Sequence, residues 1–258
     1  KELSLIMLLY AGNTYASYIG ALPRNYSILN GKDIVKTLRV MSQSAGNSPI
    51  KPGGTSETIR NNNEHIKCIS NHVPTHLKPH TDDQLGHYLA GLIDGNGYFT
   101  RDGHLVIHLH DVRLAYQLKH AIGYGRVLKH KTIIYCLTNQ KGLLRVNHLI
   151  KGKLKATSFD LNTNYWLAGF IDMKGSFDGI NLLLEHQSKD LLEAIKATLG
   201  GNISYINEDT YRYKSSSYGS AKRVINYLDR YHLQSCKHRS YLRWRKAYII
   251  AQKKVMRS

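Results

Sequence analysis

The stretch His87-Tyr-Leu-Ala-Gly-Leu-Ile-Asp-Gly-Asn-Gly-Tyr-Phe99 returns 78 residues later as Tyr165-Trp-Leu-Ala-Gly-Phe-Ile-Asp-Met-Lys-Gly-Ser-Phe177. Leu, Ala, Gly, Ile, Asp, Gly and Phe recur at equivalent positions. A repeat of this kind constrains architecture before any local pattern does. Each copy reads as an apolar helix ending in a tight turn, with Gly97 and Gly175 permitting the turn into a strand. Ala90 with Gly91, and Ala168 with Gly169, make a small-residue face on which two helices can approach closely. The repeat therefore predicts a helix pair on a pseudo-twofold axis. It also brings Asn96 and Lys174, the residues just before the turn glycines, near each other.

The pattern after each copy repeats as well. Strands are predicted over 98–101 and 104–109, then a helix from the apolar spacing of Val112, Leu114, Ala115, Leu118 and Ile122. Strands over 125–129 and 132–137 and a helix over 141–150 complete the first unit. The second unit gives a strand near Phe177 and another over 180–185. A helix over 189–199, strands over 202–206 and 210–214 and a helix over 220–231 follow. Gly123, Gly125, Gly200 and Gly201 stand where helices should stop. Each unit is α-β-β-α-β-β-α, and a basic helix over 240–254 closes the chain. Helices on one face of two antiparallel sheets make an α+β fold. The other face of each sheet is left open. His104, His108, His110, Lys129, Lys131, Tyr211 and Tyr213 are read as its polar residues, suited to a nucleic-acid groove. The division expected is a basic arm over 1–80, a first half over 81–158 and a second over 159–258.

Charge points the same way. The 258 residues carry 36 Lys and Arg against 18 Asp and Glu, a formal net charge of +18. Such a surplus seeks a polyanion, and nucleic acid is the commonest one for a basic globular chain. The 18 tyrosines interleaved with the basic residues could stack on bases or simply favour strands. An anionic membrane is the competing partner. Residues 241–254 come closest to a surface-binding helix, but Leu242, Trp244, Tyr248 and Ile249 equally suit a core. The longest apolar run, residues 5–10, is far short of the ~20 a membrane span needs, so no membrane partner is expected. Cys68, Cys136 and Cys236 are too scattered for a disulfide framework. Beginning with Lys1, the sequence is expected to start after processing or inside a longer product, and no targeting segment is read from it.

The two nine-residue stretches Leu89–Gly97 and Leu167–Gly175, with their matching element order, resemble the paired motifs of single-chain LAGLIDADG homing endonucleases and their maturase relatives. The resemblance covers residues ~84–254. It implies a monomeric pseudo-dimer with saddle-shaped sheets. It also implies that the eighth motif residue is Asp or Glu, the pair holding divalent metal between two scissile phosphates. Here that position is Asn96 in one copy and Lys174 in the other. Neither is an anionic ligand, so no catalytic set is intact and no cofactor is expected; Mg²⁺ enters only if the chain cuts. Asp94 and Asp172 match the sixth position, whose role in the family is structural. A basic residue on the family's fourth strand aligns with Cys136 and Lys214, so only the second half keeps it.

What the resemblance implies for function is a binding surface without a cleavage centre. RNA is the favoured partner, either an intron or a structural RNA such as that of a mitochondrial ribosome, bound alone or within a larger ribonucleoprotein. The alternative is an active DNA homing endonuclease that makes a metal-dependent double-strand cut or nick. Arg101, His104, His108, Arg126, Lys129, Lys131, Arg212, Lys214, Arg243, Arg245 and Lys246 are the expected contacts to nucleic acid. The arm stretches Ser42-Gln-Ser-Ala-Gly-Asn47 and Ser56-Glu-Thr-Ile-Arg60 resemble segments upstream of such domains in mitochondrial group I intron reading frames, which implies a mitochondrial location. Cys68, His72, His76 and His80, spaced by four, would share a helix face suited to Zn²⁺. Pro74 and Pro79 argue against that helix.

Overall fold

The computed structural model describes residues 68–129, 131–156, 160–207 and 209–255. The intron-frame stretches at 42–47 and 56–60 lie outside them. All described residues belong to one compact unit. The first half runs α1 (Asp82–Asn96), β1 (Gly97–Phe99), β2 (Leu105–Leu109), α2 (Val112–Ile122), β3 (Arg126–Lys129), β4 (Ile133–Leu137) and α3 (Gln140–Ile150). Two short 3₁₀ turns lead into α4 (Trp166–Lys174), β5 (Gly175–Asp178), β6 (Asn181–His186), α5 (Lys189–Leu199), β7 (Asn202–Asn207), β8 (Thr210–Lys214), α6 (Tyr218–Leu228) and α7 (Lys237–Val255). The order within both halves is the one the sequence pattern predicts. The sheets are antiparallel, ordered β1-β2-β4-β3 and β5-β6-β8-β7.

Local chemistry sets the boundaries. Thr81, Asp111, Asn139, Ser188 and Ser217 each accept a backbone N–H in the first turn of the helix they precede, satisfying a donor the helix leaves unpaired. Gly123 (φ +83°) and Gly200 (φ +71°) end α2 and α5 in conformations that side chains disfavour. Residues 68–80 carry no helix, consistent with Pro74 and Pro79. This segment hydrogen-bonds to the second half: Arg245 donates to His72 O at 3.0 Å, and Gln234 Nε2 donates to Leu77 O at 2.9 Å.

One continuous core runs through both halves. Its centre is the pair α1 and α4, buried along nearly all their length. A Cβ on Gly91 would collide with Trp166 O, and one on Gly169 with Tyr88 O. Only glycine at those two places lets the backbones come this close. Ala90 and Ala168 are fully buried beside them. In α7, Tyr241, Trp244, Tyr248 and Ile249 are core residues, which removes the exposed apolar stripe that a membrane-surface helix would need. No helix among the described residues is long and apolar enough to cross a membrane.

Strand register corrects part of the predicted open face. Tyr213 lies opposite Leu184 and Ile203 and is fully buried, and Tyr211 packs against the same core. Lys129 lies with its Nζ 5.6 Å from the ring centre of Tyr116, a residue of α2, so it faces the helices. Residues alternate across a strand with period two, which leaves Tyr98, Val106, His108, Ile134, Cys136, Arg126 and Leu128 on the open face of the first sheet. The second presents Glu185, Arg212, Leu183 and Lys214.

Candidate nucleic-acid interface

Asn96 and Lys174 end the paired helices and line one cavity of about 490 Å³, together with Asp94, His108, Glu185 and His186. The Asn96 amide donates to His108 O at 3.2 Å, which ties the end of α1 to β2. Lys174 is half-buried. Burial lowers its ammonium pKa, and Glu185 opposes that shift. Its charge is felt around it: His186 and His110 are pushed down first by burial, then by neighbouring lysines including Lys174. Lys237 adds a second ammonium, donating to Ile171 O and Met173 O at 3.3 and 3.1 Å, where a helix C-terminus favours a cation. Lys174 is thus the ammonium that lines the cavity, with Lys237 close enough to act on the same charges.

A divalent cation does not fit this donor set. Hard cations take anionic or carbonyl oxygens, and an ammonium projects where a ligand would be needed. The nearby carboxylates are engaged. Glu185 accepts two bonds from the Arg212 guanidinium, at 2.8 and 2.5 Å. Asp94 accepts from Lys155 N at 2.6 Å and Trp166 Nε1 at 2.9 Å. Asp172 is fully enclosed, accepting from Tyr88 Oη (2.7 Å), Gln234 N (2.7 Å) and the backbone N and hydroxyl of Ser235. Burial raises its carboxyl pKa, and those donors hold it back. The two aspartates are pseudo-symmetric: each takes one bond from an aromatic residue of the opposite helix and one or more from the linker closing its own half.

The basic residues read from the sequence distribute unevenly. Arg126 is exposed opposite Cys136, and Lys214 is exposed opposite Leu183. Cys136 pairs with Val106 as Lys214 pairs with Leu183, so the register makes them equivalent. Arg101 and Lys131 are exposed in turns, and His104 is half-buried just before β2. The His108 ring stacks 5.9 Å from that of Tyr98. Arg243 and Lys246 are exposed on α7. Arg245 is not available: it is 3% exposed and donates three hydrogen bonds to the Asp229 carboxylate, from Nε at 2.9 and 3.1 Å and from Nη2 at 2.8 Å. A helical pattern gives residues 243, 245 and 246 no distinguishing mark; only the position of Asp229 does.

The zinc set at Cys68, His72, His76 and His80 does not form, because the extended segment gives these residues no common helical face. His76 instead meets His232 and His238, with ring centres 5.4 and 4.5 Å away. Sequence reasoning missed this cluster, along with Glu185, His186 and Lys237. Their partners are distant along the chain, and no periodic signal marks them.

Two halves, each of helices and a four-stranded antiparallel sheet, meeting at a glycine-tight helix pair whose last residues share a cavity, define the LAGLIDADG class of protein. Residues 167–248 match the family model described as LAGLIDADG endonuclease. The chain is 42% identical, over 300 aligned residues, to the "Uncharacterized cox1 intron-2 37.2 kDa protein" of Schizosaccharomyces pombe, covering 97% of this chain and 92% of that one. It belongs to the LAGLIDADG family. Similar solved structures include I-SmaMI bound to an uncleaved DNA target with calcium ions (TM-score 0.51, 18% identity, 66% of this chain and 92% of that one). I-SmaMI bound to cleaved DNA (0.52, 18%, 70% and 92%) and I-AabMI bound to uncleaved DNA (0.53, 15%, 66% and 92%) are similar in fold too.

Proposed function

We propose that this chain is a nucleic-acid-binding LAGLIDADG protein that has lost the ability to cut and acts on RNA. The observation that carries the proposal is the pair Asn96 and Lys174 at the ends of α1 and α4, where the family's metal-binding carboxylates belong. A half-buried ammonium with Lys237 nearby repels a divalent cation and attracts a phosphate. Arg126, Arg212 and Lys214 on the open faces support the reading, as does the ring of Tyr98, 44% exposed on the first sheet. An exposed ring can stack on an unpaired base, the mode by which single-stranded RNA is recognised.

The cox1-intron relative supports an intron-encoded, mitochondrial setting. The RNA is then the host intron, in a maturase-like role, or a structural RNA such as that of the mitochondrial ribosome. Gel-shift titration of the chain with its host-intron RNA, against the intronless exon-junction DNA duplex, tests the RNA preference. The expected result is tighter RNA binding that weakens about a thousandfold between 50 and 200 mM salt if some six phosphates are contacted. Equal or tighter binding to the duplex overturns the preference for RNA.

A further inference from the structure

Outside the groove, His76 on the extended segment, His232 in the turn after α6 and His238 in the first turn of α7 form a second chemical cluster. One ring nitrogen from each lies within 4.8 Å of the others. We propose that these three histidines bind a borderline transition-metal dication such as Zn²⁺, clipping residues 68–80 to the second half.

The hydrogen bonds prepare the rings for this. His232 Nε2 lies 3.0 Å from Asp229 O, and His76 Nε2 lies 2.9 Å from Leu233 O. A carbonyl oxygen only accepts, so each Nε2 carries the proton and each Nδ1 keeps its lone pair. Metal-binding histidines are typically oriented by such a bond from the other ring nitrogen. Nδ1 of His238 is buried and has no hydrogen-bond partner. That is a cost in the metal-free protein, and coordination would remove it. Nδ1 of His232 accepts the Leu77 N–H at 3.0 Å; this is the one bond a metal would displace.

Zn–N bonds of about 2.0–2.1 Å in a tetrahedron place ligand nitrogens ~3.4 Å apart. The rings therefore need to close by no more than about 1.5 Å, within the reach of an extended segment and a helix end. His76 and His238 also line a cavity of about 410 Å³, which leaves the fourth position open to water. Three imidazoles without a carboxylate suit Zn²⁺, Co²⁺ or Ni²⁺ rather than Mg²⁺ or Ca²⁺. The proposal uses neither Asn96 nor Lys174 and stands whether or not the RNA reading is correct.

The test uses the full chain stripped with chelator and titrated with Zn²⁺ alone against a chromophoric competitor, then with Co²⁺ alone. One equivalent of Zn²⁺ should bind, Co²⁺ should give the visible bands of a four-coordinate complex, and Zn²⁺ should raise the melting temperature. His76→Ala and His238→Gln should each weaken Zn²⁺ at least tenfold and abolish the thermal shift, while His72→Ala and His80→Ala leave both unchanged. His76 is exposed, so His76→Ala keeps the test decisive if His238→Gln fails to fold. No binding above the level of His76→Ala, or binding that neither variant weakens, overturns the proposal and leaves a packing cluster of imidazoles.

Discussion

Asp94 and Asp172 occupy equivalent places in the two motifs, yet their surroundings differ in depth. Asp94 is only partly buried, whereas Asp172 is sealed among Tyr88, Gln234 and Ser235. Every group facing Asp172 is a donor, so an amide at that position would set one donor against another. Asp172→Asn should therefore destabilise the fold by about 2–3 kcal/mol, read from the shift in urea midpoint. An unchanged midpoint would mean that the donors re-pair with water. Arg245 and Arg243 give a second contrast, two residues apart on one helix. Arg245→Ala strands Asp229 and should cost about 3 kcal/mol of stability. Arg243→Ala should leave stability within about 0.5 kcal/mol and weaken nucleic-acid binding only. Paired chemical melts and gel shifts on the two variants check both halves of this expectation.

At the scale of elements, the segment 68–80 meets the second half at a cluster of imidazoles, in which His76 packs on His232 and His238. Burial lowers the pKa of His238 to about 4, with the neighbouring His76 and His232 adding to the effect and Asp229 opposing it. Burial lowers His232 as well, against its bond to Asp229 O. Each folded value lies below the unfolded 6.5, so the folded state binds fewer protons than the unfolded one in the window between. The stabilisation is complete above pH 6.5 and is lost as pH falls toward 4. Thermal melts in chelator should show a melting temperature declining through that window, with a shallower decline in His238→Gln. A profile flat from pH 7 to 4 would contradict it. Helices and most strands were legible because their apolar period and their Ser, Thr, Asp, Asn and Gly boundaries act locally. The phase of β8 was not. Tyr211 and Tyr213 present an apolar ring and a polar hydroxyl, so each suits either face, and pairing with Leu184 and Ile203 decided for the core. Lys129 falls on the helix side of β3 by the same alternation, and its ammonium sits over the ring of Tyr116.

Over the whole molecule, the repeat made the pseudo-twofold legible, because two motifs that each need a close-packed partner supply it to one another. Gly91 and Gly169 are that logic in coordinates. The surplus of +18 predicts a polyanion but not its kind. The choice between cutting and holding comes down to the ends of the two central helices. The most direct measurement incubates the chain with the intronless exon-junction duplex and Mg²⁺ at a protein concentration where a gel shift shows the DNA bound, then resolves the strands on a denaturing gel. Intact strands in the bound complex are the predicted result. A Mg²⁺-dependent break at a defined position in either strand would contradict the account.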